Sequence, residues 1–390
     1  MKKSGYIAVF KRECQIMTSR PLYLFTALIL PLFALFFMTT IFGNGMIDSI
    51  PVGIVDEDES EMSHKIERMC SAVPEIMITQ KFSNTAEARD ALLSKKIYGY
   101  LIIPRNFQKD IEANNNTTLV LCYQYAFLSV GSEILQGFLN ALRTIAVTPL
   151  QQTTDFLGIS ETTLEAIASP ISIISHPLYN PSLNYTSYIS YPYFWVLFQI
   201  LILLNIAYSF GNDFKDNKIK VCLSVGNNKY INVILGKLSP YIIIFSMIAI
   251  FANILMFSIL DFNLKSNIIT IIIVSILFIL ATCSISIFIF SLYPRLPIII
   301  SFVSMFGSLG ATFAGVTFPI NAMYPIFDKI SFLFPIRHFV IITDYLRYES
   351  HSFLYYWKYI SILLSFNILI FFAILLLKKR NDKIIHNTEY

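Results

Sequence analysis

Residues Ile268–Phe290 read IITIIIVSILFILATCSISIFIF. Sixteen of these residues are Ile, Leu, Val or Phe, and none is charged. A hydrocarbon layer about 30 Å thick needs roughly 20 helical residues to cross it. At about −0.3 to −0.6 kcal/mol per large apolar side chain at mid-helix, such a run gains roughly −5 to −9 kcal/mol on insertion, as an upper bound. The core helix of a water-soluble fold does not stay this uniformly apolar over this length, so the stretch is a transmembrane helix.

Working outward, five more stretches meet or approach the same test: Leu22–Phe42, Tyr193–Phe210, Leu238–Leu260, Ile298–Phe318 and Tyr359–Leu377. The second is the shortest of the set and carries Gln199 and Asn205. The whole composition agrees: 55% of residues are hydrophobic and 14% charged, where a soluble chain carries about 25% charged residues. The stretch after Arg20 is too long for the apolar region of a cleaved leader and is followed by no small-residue cleavage site, so it is a retained span.

Orientation follows from Lys and Arg near the span ends. Lys2, Lys3, Lys11, Arg12 and Arg20 precede the first span, and Lys215, Lys218, Lys220, Lys229 and Lys237 lie between the second and third. Arg295 separates the fourth and fifth, and Lys378, Lys379, Arg380 and Lys383 follow the sixth. Threading the spans in order puts all four groups on one side, which the positive-inside rule makes the cytoplasm. Residues 43–192 then lie outside, with sixteen Asp and Glu against nine Lys and Arg.

This outer segment reads as alternating strands and helices. Ser49–Val55 is a strand ending at the acidic turn Asp56-Glu57-Asp58-Glu59, and Ser60–Cys70 has helical composition. Glu75–Phe82 alternates as a half-buried strand does, Thr85–Lys96 is a helix capped by Asn84, and Tyr98–Ile103 is a strand stopped by Pro104. Asn106–Ala113 is a short helix, Thr117–Tyr125 a further strand, and the pattern from Phe127 to about Ala168 is helical. The fold class is therefore an α-helical polytopic membrane protein with six transmembrane helices, one plus five, and an inserted α/β extracytoplasmic domain. In chain order it comprises an interfacial helix over 1–20, a first span over 21–42, the outer domain over 43–192, spans 2–6 over 193–377 and a tail over 378–390.

Catalytic and metal chemistry find little purchase. The acidic cluster over Asp56–Glu61 lacks the ligand spacing and glycine of a calcium loop and reads as a solvated turn. The five histidines form no metal-binding spacing, and no nucleophile elbow occurs. Gly236-Lys237 is followed by Leu238 without the earlier glycine of a phosphate loop, so no nucleotide site is assigned to this chain. Cys70 and Cys122 both fall in the outer segment, where a disulfide and two buried free thiols are both open.

Two cytoplasmic segments stand out. In Gly5–Arg20, Ile7, Phe10 and Met17 share one helical face and Lys11 and Arg12 another, the pattern of a helix lying along the interface. The loop over 211–237 sets Leu223 and Gly226 among Asp213, Lys215, Asp216, Lys218 and Lys220, which suits docking on a protein. In the fifth span, Gly307, Ala311 and Gly315 recur at intervals of four, as in closely packed helices. The stretch over about 318–337 contains Phe318-Pro319, Pro325 and Pro335 with Asp328, Lys329 and Arg337; it is too polar to cross and reads as re-entrant.

Four pieces, spread over nearly the whole chain, carry a resemblance. They are Phe10-Lys11-Arg12-Glu13 with Ser19-Arg20-Pro21 and Leu30-Pro31-Leu32; Val52–Asp58 with Tyr100–Phe107; Asp213–Lys237 ending in Leu235-Gly236-Lys237-Leu238; and Ala314–Pro319 through Pro335. In that order they resemble the type-2 ABC transporter permease family, in its multidrug-like branch with a large domain after the first span. One departure concerns the loop: Phe214–Ile219 stands where the family commonly has an Arg-Glu-x-Gly-Thr pattern.

The resemblance implies the permease subunit of an ATP-binding cassette exporter in a plasma membrane (the inner membrane of a bacterium), with both termini cytoplasmic. The chain itself would be no enzyme and bind no cofactor or metal; ATP and Mg would belong to a separate ABC ATPase subunit. A second copy or a homologous permease would face it in the lipid bilayer, and the outer domain would receive a periplasmic adaptor or shape the exit. No nucleic acid is implied. Coupling to the ATPase would fall to Phe10, Lys11, Arg12, Asp213, Lys215, Asp216, Lys218 and Leu223, and the re-entrant or exit-gate role to Phe318, Pro319, Pro325 and Pro335. The alternative is a membrane-anchored receptor acting through its outer domain, which would work without any ATPase.

Overall fold

The computed structural model describes residues 5–41, 49–113, 115, 117–124, 129–142, 185–215, 219–318, 322–348 and 353–386. They form two compact units, one of residues 1–45 with 178–390 and one of residues 46–177.

The chain starts with α1 (Tyr6–Ser19), whose buried stripe is Val9, Glu13 and Met17 at i, i+4 and i+8. Met17 thus joins the inner face while Ile7 stays exposed. Helix α2 follows over Pro21–Thr40. It widens to a π turn at Phe25–Ile29, just ahead of Pro31. Proline lacks an N–H and its ring crowds the carbonyl four residues back, and a wider turn accommodates both.

The second unit is a mixed four-stranded sheet in the order β2-β1-β3-β4. Strands β1 (Ile50–Asp56), β2 (Ile76–Phe82) and β3 (Gly99–Ile103) run parallel, and β4 (Val120–Tyr123) is antiparallel to β3. The crossovers are α3 (Glu61–Ser71) and α4 (Thr85–Leu93), with α5 (Phe107–Glu112) after β3 and α6 over 129–142. Strand β1 is central and apolar throughout because it is covered on both faces. Val52, Ile54 and Leu101 pack with Ile66 and Cys70 of α3 and with Ile134 and Phe138 of α6, while Val55 and Tyr100 pack with Ala88 and Ala91 of α4. Cys70 and Cys122 are both free, on these two separate clusters. Burial pushes the Cys70 thiol up to about 12, which keeps it protonated and unreactive.

Asn84 caps α4 as the sequence requires. Its side chain accepts from the Glu87 amide at 2.9 Å and donates to the Glu87 carboxylate at 3.0 Å. Asn84→Ala is expected to cost about 1 kcal/mol, read as faster amide hydrogen exchange confined to residues 85–93.

Helix α7 (Tyr185–Lys215) begins eight residues earlier than hydropathy alone places the second span. Its polar first turns are held by partners that a hydropathy profile does not see. Ser190 donates to the Met38 carbonyl at 2.5 Å, and Arg347 donates to the Ser187 carbonyl at 2.6 Å. The span within it, Thr186–Phe214, is 72% buried against 17% for the last span, so α7 is the central helix of this unit. Trp195 anchors it, its ring 4.6 Å from Phe339 and 5.9 Å from Phe278.

Next come α8 (Ile219–Val225), α9 (Tyr230–Ile254, continued by a π turn over Leu255–Ile259), α10 (Ile268–Leu292) and α11 (Leu296–Phe313). Gly307 and Gly310 let α11 close on α7: a Cβ on Gly307 would sit 2.8 Å from Ile200, and one on Gly310 would sit 2.7 Å from Gln199. The expected series is therefore split, since Ala311 is half-buried and Gly315 lies past the helix end at φ 82°. Two short helices follow, α12 (Pro325–Ser331) and α13 (Pro335–Tyr348), each opened by its proline. The unit closes with α14 (Trp357–Ser365) and α15 (Ile368–His386). Six candidate spans result: Pro21–Thr40, Thr186–Phe214, Tyr230–Ile259, Ile268–Leu292, Leu296–Phe313 and Trp357–Lys379.

Arg337 locks α13 onto α12. Its guanidinium donates to the Asp328 carboxylate at 2.7 Å, to the Asp328 carbonyl at 2.6 Å and to the Ser331 hydroxyl, and lies 4.1 Å from the centre of the Phe332 ring. Next to it, His338 is fully buried and bonded through Nε2 to the Phe332 carbonyl at 3.0 Å. Burial lowers its pKa from 6.5 to about 4. The folded chain therefore refuses a proton that the unfolded chain takes up, so stability is expected to be full above about pH 6.5 and to fall as pH drops towards 4. Melting the purified protein across that window tests this; His338→Gln should flatten the slope.

Candidate functional site

Four charged side chains, distant in sequence, meet in the helical unit. Arg12 and Glu13 come from α1, Asp213 from the last turns of α7, and Lys237 from the second turn of α9. Glu13 and Lys237 are 1% and 2% exposed. Isolated charges so buried would be very costly, so each must be matched.

The matching is complete. The Lys237 ammonium pairs with the Asp213 carboxylate, lies 3.1 Å from Glu13 Oε2 and donates to the Ser209 carbonyl at 3.2 Å. Arg12 grips Asp213 with both terminal nitrogens, at 3.2 and 3.0 Å. Glu13 Oε1 accepts from the Ser209 hydroxyl at 2.6 Å and the Tyr241 hydroxyl at 3.1 Å. Cys222 of α8 donates its thiol to Asp213 at 3.2 Å. Burial, with the nearby Asp213 carboxylate, pushes that thiol up to about 12 and keeps it a donor. Two cations and two anions thus tie α1, α7, α8 and α9 into one node.

Apolar packing supports the node from one side. Val9 of α1, Cys222 and Leu223 of α8, and Val233 of α9 form a small cluster of their own. The turn from α8 to α9 places Asn227 and Asn228 at φ 60° and 57°, left-handed backbone that asparagine tolerates well. The Gly5 amide reaches across to the Val225 carbonyl at 2.7 Å. Gly236 lets α1 lie directly on α9: a Cβ there would be 2.8 Å from Val9 Cβ and 3.1 Å from the Tyr6 carbonyl.

Of the residues singled out in the sequence, Arg12 and Asp213 lie in the node, and Leu223 faces inward to Val9. Phe10 is half-buried on α1 and Lys11 is exposed. Lys215 ends α7, while Asp216 and Lys218 lie outside the described residues. The exposed positions of α8 are Lys220, Val221 and Ser224. Phe318 is exposed, Pro325 and Pro335 open α12 and α13, and Pro319 lies outside the described residues. Glu13, Lys237, Ser209 and Tyr241 were missed. Lys237 was findable, since it lies inside the third span, where an ionisable side chain needs a partner. Among the described residues no cluster suited to a metal ion occurs.

Residues 21–377 match the family model described as ABC-2 family transporter protein. No curated protein matches the chain.

Proposed function

The chain belongs to the ABC-2 transporter family as its membrane-spanning permease component, and from that premise we propose that it works in export, with the charged node as the point where ATPase motion enters the membrane. The observation that carries this reading is the node itself. It joins α1 and α8, the two helices flanking spans on the Lys- and Arg-rich side, to spans α7 and α9 through buried ion pairs. A push on α8 cannot be absorbed locally, because Cys222 and Leu223 bind it to Asp213 and Val9.

The family implies a partner ABC ATPase. In this proposal ATP and Mg are held there, two permease copies or this chain and a homologue face each other, and both termini are cytoplasmic in the inner membrane of a bacterium. The α/β insert is then extracytoplasmic, in the branch with a large domain after the first span, where it receives an adaptor or shapes the exit. The stretch with α12 and α13 forms the re-entrant element on that same outer side. The charge distribution along the sequence supports this orientation.

The exposed face of α8 supplies the test. Lys220→Asp with Val221→Asp is expected to reduce permease-stimulated ATP hydrolysis by roughly tenfold or more, as loss of contact hot spots does, while the protein still melts at its wild-type temperature. Undiminished stimulation and undiminished co-purification with the ATPase would remove α8 from the coupling path.

A further inference from the structure

A cleft of about 460 Å³ opens beside the node, and its walls include Arg12, Gln15, Ile16, Tyr23, Asn212 and Val221. It lies where α1 gives way to the first span and where the second span ends.

The hydrogen-bond inventory of the cleft is one-sided. Tyr23 is only 3% exposed. Its oxygen accepts from Asn212 Nδ2 at 3.1 Å, which leaves its own O–H without an acceptor among the described residues. A buried hydroxyl donor with no acceptor costs about 1–3 kcal/mol unless a ligand or water supplies one. Arg12 spends two N–H groups on Asp213 of the five it owns, and the rest find no acceptor among the described residues. Gln15 is exposed and unpaired there as well. The carboxylates of the cleft are already matched: Asp213 by Arg12 and Lys237, and Glu13 by Lys237, Ser209 and Tyr241. With Arg20 also on the cleft wall, three cations stand against these two anions. What the cleft lacks is an anion rich in acceptor oxygens.

The surroundings say which kind. Ile16 and Val221 give the cleft an apolar side, and the first span beyond it exposes Leu22 (52%), Phe25 (47%) and Ile29 (51%) in a column. That column continues the cleft along the helix towards the hydrocarbon. A free phosphate would use only the donors; a phospholipid uses both the donors and the column.

We propose that this cleft binds the phosphate headgroup of an anionic phospholipid, held by Tyr23, Arg12 and Gln15 with its acyl chains along the first span. The inference rests on the reading that these helix ends meet a bilayer surface. The lipid sits against the coupling node, and its phosphate competes with Asp213 for Arg12. Anionic lipid therefore loosens or tightens the grip of α1 on α7.

The test is lipid retention by the detergent-solubilised full chain, read by native mass spectrometry. The chain is titrated with dioleoyl phosphatidylglycerol, dioleoyl phosphatidylcholine or inorganic phosphate. One phosphatidylglycerol is expected to bind several-fold more tightly than phosphatidylcholine. Tyr23→Phe should weaken it about tenfold and Gln15→Ala roughly threefold, the scale of one hydrogen bond to a charged and to a partly exposed site. The two variants should melt as wild type does in phosphatidylcholine. If Tyr23→Phe does not fold, Gln15→Ala carries the comparison. Equal retention of the two lipids, unchanged phosphatidylglycerol binding in the folded variants, or displacement of the lipid by millimolar inorganic phosphate each overturns the proposal. No ATPase enters this measurement, so its failure and a failure of the coupling role of α8 are told apart.

Discussion

Lys237→Met is expected to destabilise the permease by about 3–5 kcal/mol, the cost of leaving buried carboxylates without their cation. Methionine fills the same volume and keeps the contacts of the lysine stem, so the loss is electrostatic. In the variant, Glu13 keeps the hydroxyls of Ser209 and Tyr241 but faces no positive charge within bonding distance. Asp213 suffers less, because Arg12 still holds it with two bonds. This asymmetry makes a second variant decisive. Adding Glu13→Gln to Lys237→Met removes the stranded charge, so the double variant should recover roughly half of the loss, a coupling of about 1–3 kcal/mol between the two sites. Glu13→Gln alone leaves Lys237 paired to Asp213 and should cost less than the lysine change. Unfolding midpoints of the purified chain in detergent measure all three. Additive losses would mean that Glu13 and Lys237 do not depend on each other, and the node would lose its place as a single unit.

The architecture was legible because hydrocarbon is a strict selector. A run such as Ile268–Leu292 has one stable home, and six such runs with Lys and Arg on alternate connections leave little choice of layout. The insert was legible through period and caps: Asn84 and the alternation in Ile76–Phe82 each imply an element that the fold contains. The site was less legible, for a physical reason. Arg12 and Asp213 drew attention as charges near span ends, yet their partners lie 201 residues apart in the chain. No local pattern encodes that pairing. Leu223 looked like a surface contact because it sits among charges, but it is the inward residue of a helix whose outer face is Lys220, Val221 and Ser224. The early start of α7 was hidden for a related reason: the Ser and Tyr residues over 186–191 lower the hydropathy, while Met38 and Arg347, far along the chain, satisfy them.

Gly236→Val is expected to detach α1 and uncouple the permease without touching any charged group. A valine Cβ at this position meets Val9 Cβ at 2.8 Å, Val9 Cγ1 at 2.9 Å and the Tyr6 carbonyl at 3.1 Å. None of these atoms can swing away, since Val9 is branched at its own Cβ and the Tyr6 oxygen is backbone. The helices must therefore part, at about 1–3 kcal/mol for overpacking. Parting also lengthens the contact of Glu13 with Lys237, one turn further along both helices, and the Tyr6 to Ser239 hydrogen bond of 2.7 Å goes with it. Tryptic cleavage at Lys11, Arg12 and Arg20 should then quicken by roughly tenfold or more, because local opening sets access to the backbone. Stimulated ATP hydrolysis should fall in parallel. Gly236→Ala adds only the Cβ and should give an intermediate effect on both readouts, which separates a wedge from a general folding defect. Val9→Ala in the Gly236→Val background makes room for the wedge and should restore slow cleavage and part of the stimulation. A Gly236→Val chain that is cleaved and stimulated like wild type would mean that α1 does not transmit force through its contact with α9.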